Sequence, residues 1–134
     1  MTDEEVALFH DSLDRCRHRG GFLDHFYDVF IGSSAEVAAK FRETDFRHQK
    51  RMLMASLHLT MLAGDGVPEA QAHLRRIATL HDREHRAIRP ELYDVWLDCL
   101  VRTVADCDPQ FTPETERIWR LMLLPAIEVM KAAY

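Results

Sequence analysis

Apolar residues in this chain recur at intervals of three and four from one end to the other. Nowhere do they alternate with polar residues over a turn-bounded stretch of strand length. That regularity argues against a sheet and predicts helices throughout. The breaks between helices are also legible, because the five glycines and five prolines fall mostly where the periodicity stops.

Thr2 caps a first helix, with Glu5 completing a capping box and Val6, Phe9, Leu13 and Cys16 as its buried stripe. Gly20-Gly21 stops it. A second helix turns Phe22, Phe26, Val29 and Phe30 inward, with Tyr27 beside them. Gly32-Ser33-Ser34 breaks it, and Ser34 caps a short helix that runs to Phe41. Asp45 caps a long helix from about Phe46 to Ala63. Its Met52, Leu53, Met54, Leu57, Leu59, Met61 and Leu62 cover more than one face, which predicts burial on several sides. The methionines read either as adaptable core or as a soft binding groove. Pro68 opens a fifth helix expected to reach about Arg86. Pro90 opens a sixth, marked by Tyr93, Trp96, Leu97, Leu100 and Val104. Thr112-Pro113 opens the last, which carries Ile118, Leu121, Met122, Ile127 and Met130; Pro125 inside it predicts a kink or a lost backbone hydrogen bond near Leu121. Seven helices of unequal length predict an all-α fold with angled packing rather than a regular four-helix bundle.

At 134 residues the chain is the size of one domain with a full core. Its formal charge of −5 is spread as interleaved acidic and basic residues, so a nucleic-acid surface is not expected. No apolar run reaches membrane-spanning length and MTDEEV is not a signal peptide, which predicts a cytoplasmic protein. Cys16, Cys99 and Cys107 match neither a disulfide framework nor a zinc spacing.

One position stands out within this pattern. Leu74, Ile77 and Ala78 form an apolar stripe on the fifth helix, and the next position on that face is His81. A histidine ending such a stripe is either a core residue bonded to a carbonyl or an axial ligand for a metal in an apolar cavity.

The local strings extend the second option. HFYDVFIGSSAEVAAKF, His25 to Phe41, resembles the haem domain of bacterial flavohaemoglobins and single-domain bacterial haemoglobins. The family's Phe-Tyr pair is Phe26-Tyr27 here, and its later Phe, fourteen residues beyond the Tyr, is Phe41. Ala35 stands where the family usually has Pro. Gln49 and Leu53 match a Gln and Leu spaced four apart above the haem. IRPELY, Ile88 to Tyr93, resembles the string after the proximal helix, and Trp119 matches a Trp early in the last helix.

One spacing departs from the family. Flavohaemoglobins place the proximal His ten residues before the Tyr, where this chain has Arg83. The nearby histidines, His81 and His85, lie twelve and eight before Tyr93. His81 continues the stripe and is taken as the iron ligand, with His85 as its rival. An i, i+4 zinc pair of the two would need a third protein ligand.

The resemblance implies a globin fold over residues 1–134 and haem b as cofactor. His81 would be the proximal ligand, and Phe41, Leu53 and Tyr93 haem contacts. Tyr27 and Gln49 would be distal hydrogen-bond donors, with His48 a rival distal residue. Tyr93 or Glu128 is a candidate partner for the His81 ring. Trp96 and Trp119 read as core. The implied function is reversible binding of O₂ or another diatomic gas (NO, CO) by a monomer or homodimer. An alternative is nitric oxide dioxygenation with a separate reductase, since no glycine-rich dinucleotide fingerprint occurs here. A third is a haem-free globin-fold interaction module.

Overall fold

Six of the seven helices begin at a residue that answers their free amides or has none to offer. In the computed structural model, which describes Met1–Tyr134, α1 spans Asp3–Arg19, α2 Phe22–Ser33, α3 Ala35–Lys40, α4 Phe46–Gly64, α5 Pro68–Leu80, α6 Pro90–Cys107 and α7 Pro113–Ala132. The Thr2 hydroxyl accepts from Glu5 N–H at 3.1 Å, and the Glu5 carboxylate accepts from Thr2 N–H at 3.0 Å. Ser34 caps α3, and Asp45 caps α4. Pro68, Pro90 and Pro113 open α5, α6 and α7, where a missing N–H costs nothing. Between α1 and α2 the backbone turns through Gly20 and Gly21 at φ 77° and 72°, a region that disfavours any side chain.

The core forms where α2 crosses α6 and α1 packs on α7. Phe9 and Leu13 of α1, Phe26 of α2, Leu100 and Val104 of α6, and Ile118 and Trp119 of α7 are among its fully buried members. α4 and α5 pack on each other and on α7 at the other side, and between them and α2 the core gives way to a cavity. There are no strands, and no helix is long and apolar enough to cross a membrane.

Two sequence expectations change. α5 stops at Leu80, a turn and a half short of Arg86. Asp82 explains the stop: its Oδ1 accepts from the N–H of Glu84 and His85 and from His85 Nδ1, offering those groups a partner outside the helix. Ala87 then takes φ 52° to turn the chain toward α6. α4 is not buried on several sides; only Leu53, Leu57 and Thr60 are buried, while Met52 and Leu62 are 41% and 46% exposed. Leu121 of α7 is exposed too. α7 runs on through Pro125, which as expected offers no N–H to the Leu121 carbonyl; both residues lie on the exposed side, so that carbonyl can turn to water.

Candidate functional site

A cavity of about 320 Å³ opens between α2, α4, α5, α6 and α7, and 19 of its 27 lining residues are hydrophobic. Its size and apolar wall suit a small organic ligand or cofactor. His81, Tyr27, Gln49, Phe41, Leu53 and Tyr93 all lie on its wall. These six are spread over 67 residues of sequence (Tyr27 to Tyr93, counted inclusively) and come from five different segments.

His81 closes α5 as its C-cap, at the end of the stripe of Leu74, Ile77 and Ala78. Its Nδ1 lies 2.7 Å from the carbonyl oxygen of Ile77. A carbonyl only accepts, so this contact places the ring proton on Nδ1 and leaves Nε2 with a free lone pair. Burial lowers the His81 pKa; the Ile77 carbonyl opposes that shift and Arg86 reinforces it. A neutral imidazole with an available Nε2 lone pair therefore sits at the cavity. Neither Tyr93 nor Glu128 hydrogen-bonds the ring: Ile77 holds Nδ1, and Glu128 is exposed and off the wall.

His85, the rival ligand, is exposed, lies off the cavity wall and is paired with Asp82 at 2.7 Å. No group of three or more His, Cys, Asp and Glu side chains comes together to hold a metal ion, so a zinc site built on both histidines finds no third ligand.

Tyr27, buried on α2, packs edge-on against Phe26, Phe41 and Phe46, with ring centroids 5.0, 5.6 and 5.4 Å away. Burial pushes its phenol up to about 12, and the nearby Gln49 side chain partly offsets the rise. The hydroxyl therefore keeps its proton at neutral pH and remains a donor. Gln49 is half-buried; His48, one residue earlier, also reaches the cavity but is exposed.

Tyr93 brings the only buried side-chain polar atom without a hydrogen-bond partner, its hydroxyl, and burial pushes that phenol up to about 12 as well. An orphaned hydroxyl on a cavity wall is a group waiting for a ligand atom or a water.

Several wall residues escaped the sequence reading. Trp96, read as core, lines the cavity edge-on to Phe26, whereas Trp119 is core as expected. Phe46 backs Tyr27, a contact between helices that no local spacing reveals. Lys40 and Arg86 bring cations to the wall. His73 also lines it, and here a signal existed: it precedes Ile77 by four and His81 by eight, on the same stripe.

Comparison with known proteins places this arrangement. The globin family model matches residues 23–129. A solved crystal structure from Pseudomonas aeruginosa PAO1, of protein PA3967 and described as structurally highly homologous to a human hemoglobin, matches with a TM-score of 0.91 and 36% identity, over 97% of this chain and 98% of that one. No curated protein matches the chain. With most of its length covered by the family model and its helices superposing on a solved bacterial relative, the chain belongs to the globin family.

Proposed function

We propose that residues 1–134 act as one globin domain whose cavity holds haem b and reversibly binds O₂ or another diatomic gas. The observation that carries this reading is His81: one neutral imidazole with a free Nε2, at the end of an apolar stripe on the wall of an apolar cavity. The rest of the wall fits the cofactor. Hydrophobic residues suit a porphyrin ring, Lys40 and Arg86 offer cations to its carboxylates, and the Tyr93 hydroxyl lacks a partner.

Haem would supply an iron that binds a nitrogen of the protein and a diatomic gas. His81 would provide that nitrogen. The Ile77 carbonyl holds the tautomer and the ring orientation, as a hydrogen-bonded second partner does for other metal-ligating histidines. Phe41, Leu53 and Tyr93 would contact the ring.

Tyr27 would act on the gas. Its proton stays on oxygen, so it donates a hydrogen bond to a diatomic ligand that carries partial negative charge, with Gln49 as a second donor. Such a bond is worth about 1.5–3 kcal/mol, or roughly ten- to hundredfold slower gas release.

The test is the visible spectrum of recombinant wild type and His81→Ala with haem added. A sharp haem band that responds to CO in wild type and is lost or broadened in His81→Ala is expected. Wild type that takes up no haem refutes the reading, and a mutant that binds as well as wild type moves the ligand elsewhere.

The presence of both Tyr27 and Gln49 on the wall favours nitric oxide dioxygenation as the second reading. That reaction joins nitric oxide and O₂ into nitrate and takes one electron per turnover from a separate reductase. Nitrate formed over many turnovers with a reductase supplied would establish it; one stoichiometric burst keeps the function at binding.

A further inference from the structure

α3 and the segment that follows His81 meet across one edge of the cavity. Val37, Lys40 and Phe41 line that edge from one side, Arg86 and Ile88 from the other. Two polar links join the sides. Glu36 receives Arg89 bidentately, with Nε 2.8 Å from Oε2 and Nη2 2.6 Å from Oε1. One helical turn on, Lys40 Nζ donates to the Arg86 carbonyl oxygen at 3.0 Å. The segment they grip folds back on the proposed ligand: Ile88 N–H donates to the His81 carbonyl at 3.0 Å, and Ala87 N–H to the Asp82 carbonyl at 2.8 Å.

We propose that Glu36, Lys40 and Arg89 form a clasp across this edge, which retains the bound cofactor and positions the turn that carries His81. The cofactor part of this proposal rests on the haem reading above.

Exposed ion pairs are ordinarily weak, because solvent screens them and two long side chains must be held still. This one differs in three ways. The guanidinium meets the carboxylate as a two-bonded fork, the geometry in which such pairs are strongest. Arg89 is further held by Glu91 at 2.9 Å, so the contact is part of a network. The links also join positions 46 and 53 residues apart: Lys40 and Arg86 line the cavity, and Glu36 and Arg89 each adjoin a residue that does, Val37 and Ile88. Opening them frees the α3 edge from the turn that begins at His81, which is the movement a ring-shaped cofactor needs to leave sideways.

The clasp is charged and exposed, so salt must weaken it. The screening length falls from about 10 Å at 0.1 M to about 3 Å at 1 M. Loss of haem from wild type to an excess of a haem-scavenging apoprotein should therefore speed up across that range. Glu36→Gln should lose haem about three- to tenfold faster at low salt and show little further response to salt. Arg117→Gln is the control. It breaks an equally forked pair with Glu114, between residues that neither line the cavity nor adjoin one that does, and should leave haem loss at the wild-type rate. A Glu36→Gln rate within twofold of wild type, with an unchanged salt response, overturns the retaining role.

A second readout needs no haem. Hydrogen exchange at the Ala87 and Ile88 amides of the haem-free protein should quicken in Glu36→Gln and stay unchanged in Arg117→Gln. Equal protection in Glu36→Gln and wild type overturns the positioning role. Failure of wild type to take up haem, with faster exchange in Glu36→Gln, would refute the haem reading and the retaining role and leave the positioning role standing.

Discussion

The indole N–H of Trp119 donates to Ser12 Oγ at 2.9 Å, and the Ser12 hydroxyl donates in turn to Asp108 Oδ2 at 2.6 Å. All three side chains are buried. Arg15 closes the chain from α1, with its Nε 2.6 Å from Asp108 Oδ1, and Gln110 N–H adds a further bond at 2.9 Å. One serine thus keys α1 to α7 and to the turn between α6 and α7.

Ser12→Ala leaves the Trp119 N–H without a partner and takes one donor from a buried carboxylate. The cost of such an unmet group is about 1–3 kcal/mol. Urea unfolding of the mutant and wild type measures it. A loss below about 0.5 kcal/mol would mean that water replaces the hydroxyl, and the keying role would fall.

Asp108 gives stability a pH dependence. Burial raises its pKa, but Arg15, Ser12 and the Gln110 amide together outweigh burial and hold it below the usual carboxylate value. A carboxylate with a depressed folded pKa stabilises the protein above its unfolded pKa of about 3.9, and that contribution disappears as pH falls through the folded value. Glu5, Glu36, Asp82 and Glu114 shift the same way, so the wild-type curve alone cannot isolate Asp108. The difference between wild type and Asp108→Ala can. The mutant should be less stable by about 3–5 kcal/mol at pH 7, because Arg15 is left beside a void, and the gap should narrow below about pH 4. A gap that does not change with pH would mean that the carboxylate acts through packing alone.

How far the sequence could be read follows from how local each cause is. Capping boxes, opening prolines and the stripe through His81 are settled within a few residues, and the helices start where those signals stand. The stop of α5 is not legible in the sequence because the helical spacing continues past Leu80, while the competing Asp82 cap and the positive φ of Ala87 have no spacing of their own. Asp108 read only as part of a turn, because its partners Ser12 and Arg15 lie 96 and 93 residues away. The breadth of the apolar surface on α4 predicted burial all round; part of that surface instead faces the cavity, where Met52, Leu53, Leu57 and Leu59 form wall. For the six candidate residues, spacing and family likeness suggest the members, and only the fold shows that they line one cavity.

Ala87 carries φ 52°, in the left-handed region where a Cβ crowds the following carbonyl at a cost of about 1–2 kcal/mol. Ala87→Gly removes that strain and adds back some entropy to the unfolded chain. The balance should be a gain of about 0.5–1 kcal/mol in thermal or urea unfolding. A loss instead would show that the Ala87 methyl makes a packing contact worth more than the strain.

Tyr93 separates the haem-free protein from the loaded one. Its hydroxyl is buried without a partner, so in the haem-free protein Tyr93→Phe removes an unmet polar group and leaves the ring in place. That change should stabilise by about 1–3 kcal/mol. With haem bound, the same hydroxyl gains a neighbour it lacks here, and the mutant should lose part of its advantage. The measurement is the thermal midpoint of wild type and Tyr93→Phe, each with and without haem. A larger haem-induced rise in wild type than in the mutant is the expected result, since a ligand stabilises the folded state by its binding free energy. Equal rises would place the hydroxyl outside the cofactor's contacts, and its burial would then call for a trapped water rather than a ligand.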